Sequence, residues 1–162
     1  MRDRRFVAEH RGGPLSREDH RSLAKWAAEC AEEALPLFQK YSDDPRPARA
    51  LDISRAWAGG EIKTGAAMKA SVAAHAAARE VKNSAAIAAA RAAAQAVATA
   101  HFADHCMGAL LYLLKATECD GRASGALLER HLGRLPTILR EAVSEGVQMR
   151  LIPLKIKAEY SE

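Results

Sequence analysis

The chain has 162 residues, about half of them apolar, and a formal charge of +4 with a pI near 9.1. This length supports one hydrophobic core without a metal or a disulfide framework, and the low glycine and proline content argues against extended disorder. Three cysteines without a C-x-x-C spacing indicate reduced thiols and a cytoplasmic protein, and neither a secretory leader nor a membrane-spanning apolar run is expected.

The first half of the chain predicts a basic tail and two helices. Residues 1–13 are predicted to be a flexible tail, because they carry four arginines and end in a Gly-Gly-Pro break. Ser16 is a favourable N-cap for a first helix, which Pro36 is expected to kink or end. A turn at Asp43-Asp44-Pro45-Arg46-Pro47 leads into a second helix, with Pro45 or Pro47 in its first turn. Its buried stripe is Ala50, Ile53 and Trp57, and it stops at Gly59-Gly60.

An alanine-rich stretch dominates the middle of the chain. Thr64 is predicted to cap a third helix that ends near Val81, with Asn83 or Ser84 capping the next one. From Ala85 to Ala100, eleven of sixteen residues are alanine, the strongest helix former. We therefore predict a long helix from Ala85 to Cys119 as a central post. One helix over residues 64–119 is the alternative, at an unusual length for a globular protein.

The end of the chain predicts two shorter helices and an extended tail. One helix spans Ser124 to Leu132, and another begins at Leu135-Pro136 with Ile138, Leu139, Ala142 and Val143 facing inward. Residues 151–162 are predicted to be extended. The expected fold class is all-α: a single-domain helical bundle, residues 14–150, around a long Ala-rich central helix hairpin.

The histidines are the first candidates for chemistry. On one continuous helix, His101 and His105 share a face at the spacing a metal needs, and His75 is the nearest third ligand. If the chain reverses near Asn83, His75 and His101 lie on the order of 15 Å apart along the hairpin, with Arg91 level with His75. We therefore predict hydrogen-bonded histidines and neither a metal nor another cofactor.

A cationic constellation is the second candidate, formed where His75, Arg79 and Arg91 meet across two helices. Solvated or salt-bridged arginines are the alternative interpretation. The second helix adds arginines and a tryptophan, the residue types that dominate interface energetics, although Trp57 also fits a core position. The candidate binding residues are Arg49, Arg55, Trp57, His75, Arg79, Arg91, His101 and His105. No catalytic residue is predicted, because the chain has no phosphate-binding loop, no G-x-S-x-G and no paired E-x-x-H motif.

Four segments follow each other in one order: Ser54-Arg-Ala-Trp-Ala-Gly-Gly-Glu-Ile62, Ala73-Ala-His-Ala-Ala-Ala-Arg79, Ala89-Ala-Arg-Ala-Ala-Ala-Gln-Ala-Val-Ala-Thr-Ala-His-Phe-Ala-Asp-His105 and Ala109-Leu-Leu-Tyr-Leu-Leu-Lys-Ala116. Together they resemble a family of all-helical immunity proteins linked to bacterial polymorphic-toxin loci. The likeness covers the chain from Leu15 to about Val147. It implies a binding protein of antitoxin type, whose partner is a toxin.

Three hypotheses follow for function. The first is a non-enzymatic cytoplasmic immunity protein that binds and neutralises a cognate bacterial toxin. The second is a small helical enzyme or ligand-binding protein with an interior His/Arg pocket. The third is nucleic-acid binding, which the dispersed positive charge does not favour. A net charge of +4 argues against a basic nuclease as the target, unless Glu29, Glu32 and Glu33 mask its cleft. The sequence leaves a homodimer open.

Overall fold

Seven α-helices and three short 3-10 turns form the part of the chain that this computed structural model describes, residues 1–161. The helices are α1 (Arg17–Gln39), α2 (Arg46–Ala58), α3 (Thr64–Arg79), α4 (Ser84–Ala98), α5 (Cys106–Cys119), α6 (Gly125–Gly133) and α7 (Thr137–Leu151). Helix α4 packs against α1, α2, α3 and α5, while α6 and α7 pack against α5 and each other. The predicted all-α bundle is therefore confirmed. No helix within residues 1–161 is long and apolar enough to cross a membrane.

Helix α4 is the centre of the bundle because its side chains are small. Its ten buried residues are all alanine or valine, so four other helices approach its backbone closely. Two buried hydroxyls exploit this closeness. Ser71 of α3 donates a hydrogen bond to the Ala94 carbonyl at 3.0 Å, and Ser54 of α2 donates to the Ala96 carbonyl at 3.3 Å. The predicted central post is correct for this helix.

The predicted single helix from Ala85 to Cys119 is wrong, because the chain reverses between α4 and α5. Helix α4 ends at Ala98, a 3-10 turn covers Ala103–His105, and α5 begins at Cys106. The Nε2 atom of His20 lies 2.6 Å from the Thr99 carbonyl oxygen, which a continuing helix would have offered to the amide of residue 103. The reversal packs the apolar side chains of α5 against α1 and α4.

Local capping follows the sequence closely. The Ser16 hydroxyl accepts a hydrogen bond from the Asp19 amide at 3.1 Å, and the Asn83 side chain accepts one from the Ala86 amide at 3.0 Å. These contacts confirm Ser16 as the N-cap of α1 and show that Asn83, rather than Ser84, is the N-cap of α4. Helix α1 ends at Gln39, within one turn of Pro36, as the proline predicts.

Two predicted positions are wrong. Thr64 does not cap α3: it is the first residue of that helix, and its hydroxyl accepts a hydrogen bond from the Trp57 indole at 3.1 Å. Ile138 does not face inward, since it is 79% exposed on α7, although Leu139, Ala142 and Val143 are buried as expected. The first turn of α7 lies at the edge of the bundle, where only part of the helix has a neighbour to cover it.

The N-terminal segment packs on the bundle, in contrast to the flexible tail predicted for residues 1–13. Phe6 is buried, with 4% of its surface exposed. Arg2 forms an ion pair with Asp104 at 2.7 Å, and Arg5 pairs with Glu145 of α7 at 2.7 Å. Two of the four arginines that suggested a solvated tail therefore reach acidic groups of the bundle.

A tight turn returns this segment to the start of α1. The Leu15 amide donates to the Val7 carbonyl at 3.1 Å, and the Glu9 amide donates to the Leu15 carbonyl at 2.8 Å. The Cα of Gly13 approaches Val7 so closely that an added Cβ would overlap the Val7 carbonyl group. Only glycine fits here, for a steric reason that the sequence did not reveal.

The C-terminal segment follows α7 back across α5 and α6. The Glu118 carboxylate accepts hydrogen bonds from the Lys157 amide at 3.0 Å and the Ala158 amide at 2.8 Å. The Gly125 amide donates to the Glu159 carbonyl at 2.7 Å, and Ile156 is buried. These contacts place residues 156–159 against the bundle.

Candidate functional site

The candidate residues of α2 are Arg49, Arg55 and Trp57. Arg49 is exposed to solvent. Arg55 forms an ion pair with Glu32 of α1 at 2.8 Å, and both side chains are largely exposed. The Trp57 ring is half-buried and packs against His20, with ring centroids 4.8 Å apart. These contacts join α2 to α1, so Arg55 and Trp57 already have structural partners.

His101 and His105 do not share a helix face, because the helix breaks between them. His101 lies in the turn after α4 and packs against the Phe102 ring at a centroid distance of 4.2 Å. The guanidinium groups of Arg2 and Arg11 lie 3.6 and 4.3 Å from the centroid of the same ring, as cation–π contacts. His101 therefore belongs to the docking of the N-terminal segment.

His105 and His75 are both half-buried. His105 Nδ1 lies 2.8 Å from the Gln95 amide oxygen. Burial lowers the pKa of His105, and the nearby Asp104 opposes this shift. Burial also lowers the pKa of His75, reinforced by the charges of Arg91 and Arg79 and by His105. Both imidazoles are therefore neutral at neutral pH.

His75 shares one face of α3 with three other side chains. Met68, Val72, His75 and Arg79 follow each other at steps of four, three and four residues, which places them within about 60° of each other around the helix. Met68 is 42% exposed and Val72 is 68% exposed, while Arg79 is exposed. We call these four side chains together with Arg91 of α4 the cationic face.

A groove of about 330 Å³ adjoins the cationic face between α4 and α5. Its lining includes Ile87, Ala88 and Arg91 from α4 with Tyr112 and Lys115 from α5. The Lys115 ammonium donates to the Leu154 carbonyl at 3.1 Å, which holds the C-terminal segment along the rim. The groove therefore has an apolar floor, formed where alanine leaves space, and a cationic edge.

Neither α3 nor α4 contains an acidic residue. Of the ion pairs formed within residues 1–161, none involves Arg79 or Arg91. Glu80, the residue after Arg79, pairs with Arg46 of α2 instead. Arg79 and Arg91 therefore differ from the arginines Arg46 and Arg55 on the neighbouring helix, which pair with carboxylates.

Sequence analysis missed a buried polar cluster between α1 and α6. His131 is fully buried: its Nε2 contacts the Glu33 carboxylate, its Nδ1 lies 3.5 Å from the Cys30 sulfur, and its carbonyl accepts from the Trp26 indole at 2.7 Å. Arg130 also pairs with Glu33. The residues of α1 and α6 that meet here are about 100 positions apart in the sequence, so no local motif predicts their contact.

This cluster has the order of a Cys–His–carboxylate triad but not its chemistry. Cys30 is fully buried, and burial raises its pKa well above the ordinary value. A nucleophilic cysteine needs a lowered pKa and access for a substrate. Cys30 has neither. Its neutral thiol donates a hydrogen bond to His131 Nδ1, and the Nε2–H group of His131 donates to the Glu33 carboxylate. The cluster is structural.

The histidines and carboxylates do not assemble a metal site. Across residues 1–161, no three potential ligands among histidine, cysteine, aspartate and glutamate come together with the geometry to hold a metal ion. His105 is hydrogen-bonded to Gln95, and His101 packs against Phe102.

Comparison with known proteins gives one match. No curated protein and no solved structure matches the chain. The family model described as "Imm-5 like putative immunity protein" matches residues 13–137, which run from the turn before α1 through the first residue of α7. The matched region includes the cationic face and the cluster around His131. Because the match covers most of its length, the chain belongs to this Imm-5 like immunity protein family.

Proposed function

We propose that the protein is a non-enzymatic immunity protein that binds a cognate bacterial toxin in the cytoplasm and neutralises it. Membership of the Imm-5 like family is the observation that carries this proposal, since the family match includes the whole of α1 to α6. An immunity protein of this kind needs a stable surface for its partner and no reaction centre of its own. The partner, on this proposal, is another protein.

The site chemistry supports binding over catalysis. The alternative, an enzyme or ligand-binding protein with an interior His/Arg pocket, needs free imidazoles and arginines around an enclosed space. His105 is engaged by Gln95, and Arg79 and Arg91 are exposed on the surface. The one triad-like arrangement is sealed around an inert thiol. These groups suit contact with a partner surface.

Co-expression tests the proposal. Each toxin encoded beside this gene is induced in a bacterial host, with the protein or an empty vector in the same cell. We expect growth to be restored by the protein and not by the vector. Failure of the folded, expressed protein to rescue growth from any of these toxins would overturn the proposal.

A further inference from the structure

We infer that the cationic face binds an acidic surface of the toxin, with an apolar side chain of the toxin seated on Met68 and Val72 or in the adjoining groove. This inference rests on the proposed function and adds the location and the chemistry of the interface. It makes α3, α4 and α5 the docking side of the molecule.

The charge distribution is the first argument. Arg79, Arg91 and Lys115 supply three positive charges on one side of a chain whose net charge is +4. Helices α3 and α4 contain no carboxylate, and Glu80, which follows Arg79, pairs with Arg46 of α2. The nearest acid of α5, Glu118, is occupied by Ser124 and by backbone amides of the C-terminal segment. An uncompensated patch of one sign favours a partner of the opposite sign and accelerates its association.

The exposed apolar side chains are the second argument. Val72 and Met68 lie on the same arc of α3 as Arg79, so the patch joins apolar contact area to charge. Protein interfaces combine desolvated apolar anchors with arginine in this way. The small residues of α4 leave the neighbouring groove open for a side chain of the partner.

Two other occupants fit the face less well. A second copy of this chain would bring the same unpaired arginines against each other, which costs binding energy. A nucleic acid would need many phosphate contacts, whereas this face presents two exposed arginines beside the apolar Met68 and Val72 and a neutral His75. An acidic protein surface satisfies both the charge and the apolar area.

The test uses the purified, catalytically inactivated domain of the toxin encoded beside this gene. Its binding is measured by surface plasmon resonance at several salt concentrations, for the wild type and for Arg79→Glu/Arg91→Glu. The matched control is Arg17→Glu/Arg134→Glu, which makes the same charge change at two exposed arginines on other helices and loops. Circular dichroism verifies that both variants fold.

We expect Arg79→Glu/Arg91→Glu to slow association at least about tenfold, an effect that shrinks as salt rises, and the control to stay within about threefold of the wild type. Val72→Ser, an exposed substitution, is expected to speed dissociation by about three- to tenfold. Equal losses in the charge variant and its control would overturn the inference while leaving the proposed function intact.

Three further outcomes are also decisive. A wild-type protein that binds no neighbouring toxin would overturn the proposed function and this inference together. Toxin binding that persists in Arg79→Glu/Arg91→Glu, with equal strength at low and high salt, would place the interface elsewhere. Binding of a 20-base-pair DNA duplex that Arg79→Glu/Arg91→Glu abolishes, without any effect on toxin binding, would assign the face to nucleic acid instead.

Discussion

Glu32 and Glu33 are neighbours on α1 whose ion-pair partners differ in burial, so replacing each by alanine compares an exposed contact with a buried one. Glu32 is 61% exposed and pairs with the exposed Arg55. Glu33 is 34% exposed and accepts from Arg130 and from the fully buried His131. We expect Glu33→Ala to destabilise the protein strongly and Glu32→Ala to have little effect, although both remove one carboxylate and one ion pair.

The magnitudes follow from these contacts. Without Glu33, the buried Nε2–H of His131 loses its acceptor, at a cost of about 1–3 kcal/mol. The exposed pair with Arg130 adds about 0–1 kcal/mol, which is also the whole expected cost of Glu32→Ala. Taking the middle of both ranges, Glu33→Ala should lower the free energy of unfolding by about 2–3 kcal/mol. In a chain of this length that corresponds to a Tm lower by roughly 5–10 °C.

Urea unfolding at pH 7, followed by circular dichroism at 222 nm, measures the difference. Glu33→Gln is a third variant, which keeps an oxygen facing His131 and should lose less than half as much stability as Glu33→Ala. Equal free energies of unfolding for the Glu32→Ala and Glu33→Ala variants, within about 0.5 kcal/mol, would refute the structural role assigned to the buried cluster.

Three further predictions concern Glu33 at low pH, the turn at Gly13 and the packing around α4. Burial raises the pKa of Glu33, but the hydrogen bonds from His131 and Arg130 outweigh this effect, so the pKa is lower in the folded protein. The stabilisation by Glu33 is therefore complete above its unfolded pKa and is lost as the pH falls through its folded pKa. The wild type and Glu33→Ala should accordingly converge in stability at acidic pH. Gly13→Ala should displace the N-terminal segment and cost about 2 kcal/mol, whereas Gly133→Ala, which has open space, should cost almost nothing; equal urea midpoints would contradict the tight turn. Ala93→Leu should cost about 1–3 kcal/mol by overpacking the bundle centre, against less than about 0.5 kcal/mol for the exposed Ala126→Leu; a stable Ala93→Leu protein would contradict the close approach of helices to α4.

Local signals were sufficient for most helices of this fold. Ser16, Asn83, Gly60 and Gly121 mark helix starts and stops through side-chain caps and left-handed backbone, and each is readable in the sequence. The break after Ala98 was not readable, because no glycine or proline interrupts the alanine run. It depends on packing and on the contact of His20 with a carbonyl oxygen 79 residues away.

The candidate site was predictable in part. Helical register predicts Arg91 level with His75, and the charge of Arg91 contributes to lowering the His75 pKa. The two exposed apolar residues of α3 were missed, although Met68 and Val72 at a four-residue spacing were a usable signal of a shared face. The buried contact of Glu33 with His131 joins residues 98 positions apart, and no spacing rule in a single sequence reveals such a pair.

A stoichiometric inhibition titration tests the central claim most directly. The toxin encoded beside this gene is held at fixed concentration, well above the expected dissociation constant, and its activity is measured as this protein is added. The account predicts a linear fall in activity that ends at a fixed, whole-number ratio of the two proteins. Unchanged toxin activity, or protection by far less than one equivalent as an enzyme would give, would contradict it.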